Sequence, residues 1–451
     1  METQSTTDEV LIIGGGFAGL AAGVALAGAG RQVRLLEQKP HLGGRARSFT
    51  DPATGAVVDN GQHLFMGCYH ATQRFLTEIG TLDRIWFQPR LTVHFLEGPG
   101  RLTSLECPNL PAPWYLFVGV LRSGSFTWRE KLQILRLGRT FASARSSLPS
   151  REGDRLTVED WLAQRGQSEK LRRDFWDLIS IAALNEDPRI ASALFFERVL
   201  RLALFTSAAD SRLGVCRVGL SDCYTDAAKN YLESRGGKVE LGRNVTGLLI
   251  KDGVCEGVKV AEGETISAAV VLSAVPWFQL PSLLPGDLLR SEPFFGSILA
   301  LRPAPIISLN LWFDRLVTNV EFAGMRGTTF QWLFNRSKIL GSRDNCLSLV
   351  LSGAHAHIGR SKEDLIALAL RDLGELLPCV PGAQVIHSLL IKERFATFSP
   401  TWDAEAVRPA VTTPVRGLYL AGDWTATGLP ATIEGAVQSG YTAAQAILQA
   451  G

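Results

Sequence analysis

The chain has 451 residues, of which 46 are Lys or Arg and 44 Asp or Glu, giving a formal net charge of +2, and 46% are hydrophobic. This balance excludes a polyelectrolyte tail, a collagen-like fibre and intrinsic disorder, and the length implies two domains, one of them built from separate pieces of sequence. Seven cysteines without a CxxC pair or a Cys/His ligand spacing argue against a disulfide scaffold or a zinc site. The opening METQSTTDEV is polar and acidic and leads into a glycine signature with no cleavage site, which makes a cytoplasmic protein the expectation.

Residues 9–14 read as a strand, 16–29 as a helix and 32–37 as a second strand, together a βαβ unit. Its turn carries Gly14-x-Gly16-x-x-Gly19, and Glu37 ends the second strand. Gly14 permits the tight turn, Gly16 removes a side chain where a pyrophosphate must approach, and Gly19 lets helix and strand pack closely. The helix N-terminus offers amides and partial positive charge, while Glu37 suits ribose hydroxyls and disfavours a 2′-phosphate. This is a dinucleotide site. Immediately downstream lies GGRARS at 43–48.

The longest apolar run, LPAPWYLFVGVL at 110–121, is 12 residues with two prolines, too short to span a bilayer. Through residue 151 there are seven basic residues (Arg122, Arg129, Lys131, Arg136, Arg139, Arg145 and Arg151) against one acid, Glu130. Two readings fit. In one, Trp114, Tyr115, Leu116 and Phe117 dip into lipid while the arginines meet anionic headgroups. In the other, a core helix precedes a solvated basic helix. Nucleic-acid binding is disfavoured, because aromatic and basic residues do not interleave as in an RNA or DNA module.

Residues 239–242, 245–250, 255–260 and 269–274 read as strands, the middle pair forming a hairpin around Asp252-Gly253. Val245 sits where an edge segment would meet adenine through its backbone, although its side chain suits a core position. A helix over 363–377 is expected, with Ser361 as cap and Pro378 as stop. LYLAGD at 418–423 reads as a strand ending in Gly422 and Asp423, followed by a helix that starts near 431–434 with Ile433, Val437, Tyr441, Ala444 and Leu448 along one face. Two remote segments thus complete one site, the economy expected for FAD, whose ribityl and ring parts reach beyond the first phosphate loop. The last helix would point amides toward the flavin pyrimidine. The predicted fold is α/β, a Rossmann-type FAD-binding domain assembled from residues 1–65, 214–285 and 410–451. An inserted mixed α+β substrate domain takes 66–213 and 286–409, with candidate membrane-facing helices around 110–145.

GGGFAGL, GGRARS and LAGD resemble the amine-oxidase and phytoene-desaturase class of flavoproteins across almost the whole chain. VDNGQH at 58–63, ALN at 183–185 and DWTATGLPATIEGA at 423–436 resemble its squalene-associated branch, the hydroxysqualene dehydroxylases of bacterial hopanoid biosynthesis. The resemblance implies that Gly14, Gly16, Phe17, Ala18 and Gly19 hold the FAD pyrophosphate, Glu37 and Gln38 the adenosine end, and Gly44 and Arg45 a place beside the pyrophosphate or ring. It puts the Val245 backbone against adenine, Gly422 and Asp423 at the ribityl or phosphate region, and Thr432 and Ile433 near the ring. Gly61, Gln62 and His63 would line the passage to the substrate cavity.

The implied reaction removes an allylic hydroxyl from a C30 isoprenoid, giving squalene. A hydroxyl leaves only when protonated or strongly hydrogen-bonded, and the resulting allylic cation would accept hydride from reduced FAD in a dry cavity. Phe330, Trp332, Trp312, Phe398 and Trp402 are candidate cavity walls, though each taken singly fits an ordinary core position better. His63 is the first candidate proton donor, with Asp59 orienting it or capping a turn, and a structural histidine is the plain counter-reading. Glu434 is a second candidate if burial raises its pKa, which a helix N-terminus opposes. Asn185 would bind the leaving hydroxyl. Neither a second nucleotide fingerprint nor an iron-sulfur cysteine pattern is present, so an external electron donor or reductase is expected. The expected location is the cytoplasm, peripherally on the inner face of the membrane. The rivals are an isoprenoid desaturase, a primary-amine oxidase and a non-enzymatic prenyl-lipid carrier.

Overall fold

The structure is a computed structural model that describes residues 9–142 and 155–450. The opening segment, Arg145 and Arg151 lie outside the described residues.

Five parallel strands form the first sheet, in the order Lys238–Leu241, Gln32–Glu37, Glu9–Ile13, Val270–Ser273 and Leu418–Leu420. The central strands are continuous apolar runs because both faces of the sheet are covered. The helix Phe17–Gly28, FAGLAAGVALAG, is buried almost all round, since its small residues let neighbours approach closely. The final helix Ile433–Ala450 crosses it at Gly440, where an added Cβ would lie 2.3 Å from the Ala18 carbonyl oxygen. Val245–Lys251, Val254–Val260 and Thr265–Ser267 make a separate three-stranded antiparallel sheet.

The second large sheet has seven strands in the order Val385–Phe398, Pro303–Phe313, Cys346–Ser352, Trp332–Asn335, Phe322–Met325, Thr92–Leu96 and Leu102–Glu106. Its two faces separate by the two-residue strand period. Ile307, Leu309 and Leu311 pack with Leu365, Ala369 and Leu373 of helix Lys362–Leu376, whose N-cap Ser361 accepts from the Asp364 N–H. Ile306 and Ser308 face the other way, into a cavity between the two large sheets. A small sheet pairs Phe65–Met66 and Ile85–Phe87 with Leu213–Cys216, so the expected divisions at 65/66 and 213/214 run through it.

Helices Trp114–Arg122 and Trp128–Ala142 form another wall of the cavity through Leu116, Val120 and Ile134. This corrects the expectation that residues 114–117 all face outward: Tyr115 and Leu116 are buried, the Tyr115 hydroxyl donating to the Leu204 carbonyl, while Trp114 is 62% exposed. Lys131 also turns inward, its Nζ donating to the Leu121 carbonyl. Glu130, the lone acid, accepts from the Thr127 N–H and hydroxyl at the start of its helix and is buried there. Arg122, Arg129, Arg136 and Arg139 remain exposed. Among the described residues no helix is long and apolar enough to cross a membrane.

Candidate active site

A single cavity of about 1610 Å³ begins at the glycine turn, passes Asp423 and the start of the last helix, and ends among apolar side chains beneath the seven-stranded sheet. At its polar end Gly14 has φ +104°, and a Cβ on Gly19 would sit 2.0 Å from the Gly14 carbonyl oxygen, so both positions exclude side chains. Gly16 differs. A Cβ there would meet nothing within 4 Å because that face opens on the cavity. Gly16 is also the N-cap of its helix, no side chain caps it, and no acid stands in its first turn. The first-turn amides of Phe17, Ala18 and Gly19 are therefore available to an anion, the arrangement a pyrophosphate fits.

The Glu37 carboxylate is buried, accepting from Gly15 N–H at 2.8 Å and Lys39 N–H at 2.9 Å. It shapes the turn as well as lining the cavity beside Gln38. Gly44, with φ +57°, lies against Gly16. Arg45 reaches from this loop across the site, its guanidinium donating to Asp423 Oδ1 at 2.6 Å and to the Ala396 carbonyl at 2.8 Å. The ends of the chain thus meet in one ion pair. Val245 is buried at the cavity edge in its antiparallel pair with Val260. Gly422 has φ +149°, and a Cβ would lie 2.3 Å from Trp424 Nε1. Thr432 is the N-cap of the final helix, its hydroxyl accepting from the Gly435 N–H at 3.0 Å, and Thr432 and Ile433 both line the cavity.

The DNGQH segment lies between the two halves of the cavity. Asn60 clamps it to the GGRARS loop, donating to the Arg45 carbonyl and accepting from the Arg47 N–H. Asp59 accepts from the Ser48 hydroxyl at 2.6 Å and the Leu220 N–H at 3.0 Å, with Gln62 Nε2 3.4 Å from its other oxygen. Asp59 consequently fixes the loop and touches His63 only through its charge. Gly61, Gln62 and His63 line the cavity. Burial lowers the His63 pKa while the Asp59 charge acts in the opposite direction. Burial thus favours the neutral imidazole over the imidazolium.

Two catalytic expectations are corrected. The Glu434 carboxylate is buried and accepts three hydrogen bonds, from the Ala71 N–H, the Thr72 N–H and the Thr72 hydroxyl, at 2.7–2.9 Å. It caps helix His70–Glu78, and both of its oxygens are engaged there with protein donors instead of a substrate oxygen. Asn185 is the left-handed cap of helix Asp177–Leu184, with φ 52°. Its amide donates to the Ala304 carbonyl and Thr397 hydroxyl and accepts from the Gly353 N–H, which leaves it bound to protein and not to a substrate hydroxyl. Of the five aromatics expected as walls, Trp332 lines the cavity. Phe330, Trp312 and Phe398 are buried elsewhere, and Trp402 is 49% exposed beneath Arg155. Phe95, Phe175, Trp176, Phe278 and Phe334 take their places.

Two positioning residues escaped the sequence reading. The Arg408 side chain is fully buried, pairs with Glu405 at 3.0 Å, and donates to the Asp423 and Trp424 carbonyls and the Thr427 hydroxyl, holding the 423–427 turn from behind. The Tyr224 hydroxyl lies 2.7 and 3.0 Å from the Ala46 and Gly43 carbonyls, and its ring stacks on Phe17 with centroids 3.7 Å apart. Neither sits in a glycine motif, and the partners of each are remote in sequence or lie in loops without periodicity.

Residues 17–448 match the flavin containing amine oxidoreductase family. The chain is 31% identical to the hydroxysqualene dehydroxylase of Rhodopseudomonas palustris, over 98% of this chain and 99% of that one. It is 27% identical to the 15-cis-phytoene desaturase of Synechococcus elongatus, over 97% and 95%. An oxidoreductase structure from Methanosarcina mazei superposes with a TM-score of 0.74 at 18% identity, covering 98% of this chain and 100% of that one. The fold is the Rossmann-type FAD-binding fold, and the cofactor is FAD.

Proposed function

We propose that this chain, which belongs to the flavin containing amine oxidoreductase family, reductively removes the hydroxyl of hydroxysqualene to give squalene. That it is an FAD-dependent oxidoreductase follows from the family; the C30 allylic alcohol and the direction of electron flow are the proposal. The observation that carries it is the cavity: a phosphate cradle at one end and a long apolar chamber at the other, joined at the Gly61–Gln62–His63 segment. The full-length likeness to a hydroxysqualene dehydroxylase supports the same substrate.

FAD, when bound, supplies the hydride chemistry. Gly16 and the amides of residues 17–19 would hold its pyrophosphate, with the Arg45–Asp423 pair lining the same site. His63, whose neutral form burial favours, hydrogen-bonds the substrate oxygen, which leaves as water after taking up one proton from the medium, so that the alcohol, a hydride equivalent and a proton give squalene and water. The apolar walls exclude water, and the faces of Trp332 and Phe334 stabilise positive charge at the allylic carbon as the C–O bond breaks. An external reductant would supply the electrons. The substrate enters from a lipid surface on which helices Trp114–Arg122 and Trp128–Ala142 dock peripherally at the inner face of the cytoplasmic membrane.

The test is anaerobic incubation of the photoreduced protein with hydroxysqualene. Reoxidation of flavin with stoichiometric squalene is expected. The phytoene desaturase relatives favour the one competing reading, dehydrogenation of an isoprenoid by the oxidised enzyme. Turnover by the oxidised protein alone, on squalene or another polyene, would replace the proposal with that reading.

A further inference from the structure

One row of residues crosses the cavity face of the seven-stranded sheet in register: Ile391, Ser308, Val350, Trp332, Gly324 and Phe95. In this apolar row Ser308 is 2% exposed and its hydroxyl has no hydrogen-bond partner. The Trp332 indole N–H, two strands away, has none either. A serine hydroxyl inside a sheet normally finds an acceptor, and leaving one unmet is unfavourable unless something absent from the polypeptide meets it.

The space above Ser308 is defined by Gly61. A Cβ on Gly61 would have Ser308 Oγ at 3.7 Å and His63 Nε2 at 3.8 Å and no other non-adjacent heavy atom within 4 Å. A methyl-sized notch is therefore bounded by two polar atoms that converge on it from different elements. The missing side chain leaves an opening beside the Gly61 Cα, and an oxygen packed against that Cα, farther out than a bonded Cβ would lie, has these two polar atoms beside it. Among the described residues no protein group hydrogen-bonds the His63 ring, so both sides of the notch are free to act. An alcohol suits it, since its oxygen can accept from one side while its proton is donated to the other.

We propose that the notch bounded by Gly61, Ser308 Oγ and His63 Nε2 seats the substrate hydroxyl, and that Ser308 is the residue by which the site distinguishes an alcohol from the corresponding hydrocarbon. This rests on the dehydroxylation reading. Ser308 acts on specificity and takes no part in electron transfer. Its removal leaves no orphaned protein partner, and the methyl of Gly61→Ala fits the notch at ordinary contact distances, so both variants should fold.

The experiment titrates oxidised FAD-loaded protein with hydroxysqualene and, separately, with squalene, following the flavin absorbance. Wild type should prefer the alcohol. Ser308→Ala should weaken alcohol binding about threefold to tenfold, the worth of one hydrogen bond, and leave squalene binding within about twofold. Gly61→Ala should erase the preference by occupying the notch. If both variants keep the wild-type preference, or if they weaken both ligands equally, the notch is overturned; squalene formation by photoreduced wild type would then still uphold the dehydroxylation reading. A wild type that binds both lipids alike overturns the notch outright, and absence of squalene formation in the photoreduced reaction is what overturns the reading beneath it.

Discussion

The His63 ring projects into the cavity from a loop whose other polar groups, Asp59 and Asn60, are occupied by backbone and side-chain partners. Burial lowers its pKa below the ordinary histidine value of about 6.5. The unfolded chain therefore takes up the proton first as pH falls, and linkage then draws the equilibrium toward unfolding. Stability from this residue is complete above the unfolded pKa and is lost as pH falls toward the folded one. The melting temperature of the FAD-loaded protein should drop between pH 7.5 and 5.5, and His63→Gln should drop less. Parallel pH profiles for the two proteins would contradict the assignment. His94 and His357, also lowered chiefly by burial, account for slope that survives the substitution. The residues put His63 in a polar segment and the family resemblance put that segment beside the cavity, but neither revealed which carboxylates were already engaged. Glu434 caps a helix more than 350 positions away, and Asn185 bonds to three separate strand ends. Such partnerships depend on tertiary contacts that no local spacing encodes.

The opening strand, glycine turn and helix were legible because every requirement is local: a run of VLII, glycines where side chains cannot fit, and an acid at the end of the next strand. The seven-stranded sheet was not, since Thr92–Leu96 pairs in parallel with Phe322–Met325 across more than 200 residues and leaves no periodic trace. Two glycines in the cofactor half separate binding from packing. Gly16 has extended backbone, φ −83° and ψ −176°, that alanine adopts freely, and its missing side chain faces the open cavity. Gly16→Ala should fold, its apoprotein within about 0.5 kcal/mol of wild type, and purify with little flavin. Gly440 instead presses its helix on the first one, and Gly440→Ala drives a methyl into the Ala18 carbonyl. That should cost about 1–3 kcal/mol of stability in the apoprotein, before any cofactor is considered. Chemical denaturation of apoproteins alongside the ratio of bound flavin to protein distinguishes the two. Equal destabilisation by both substitutions would show that the Gly16 position is a packing contact and not a cofactor contact.

At the scale of the molecule, one wall of the cavity is also part of its surface. Leu116, Val120 and Ile134 face the chamber, while Trp114, Leu121, Trp128 and Leu132 on the same two helices are exposed at 62%, 41%, 70% and 52%. The exposed arginines at 122, 129, 136 and 139 accompany them. The composition hides this, because a net charge of +2 averages the basic helix against acids elsewhere. A helix with one face toward a lipid-sized chamber and tryptophans toward solvent suits a surface that receives apolar substrate, and arginines add attraction to anionic headgroups. The proposed docking should therefore have two separable parts. Trp114→Ser with Trp128→Ser should reduce flotation with anionic liposomes about tenfold, since each ring forfeits apolar burial in the bilayer, with flavin content unchanged because neither side chain is buried in the fold. Raising salt from 0.1 M to 1 M should weaken the wild type through its arginines and the double variant in proportion, as screening acts on charge and not on the indole rings. Flotation unaffected by the double substitution at either salt concentration would remove these helices as the lipid-facing surface and leave the cavity to be filled by another route.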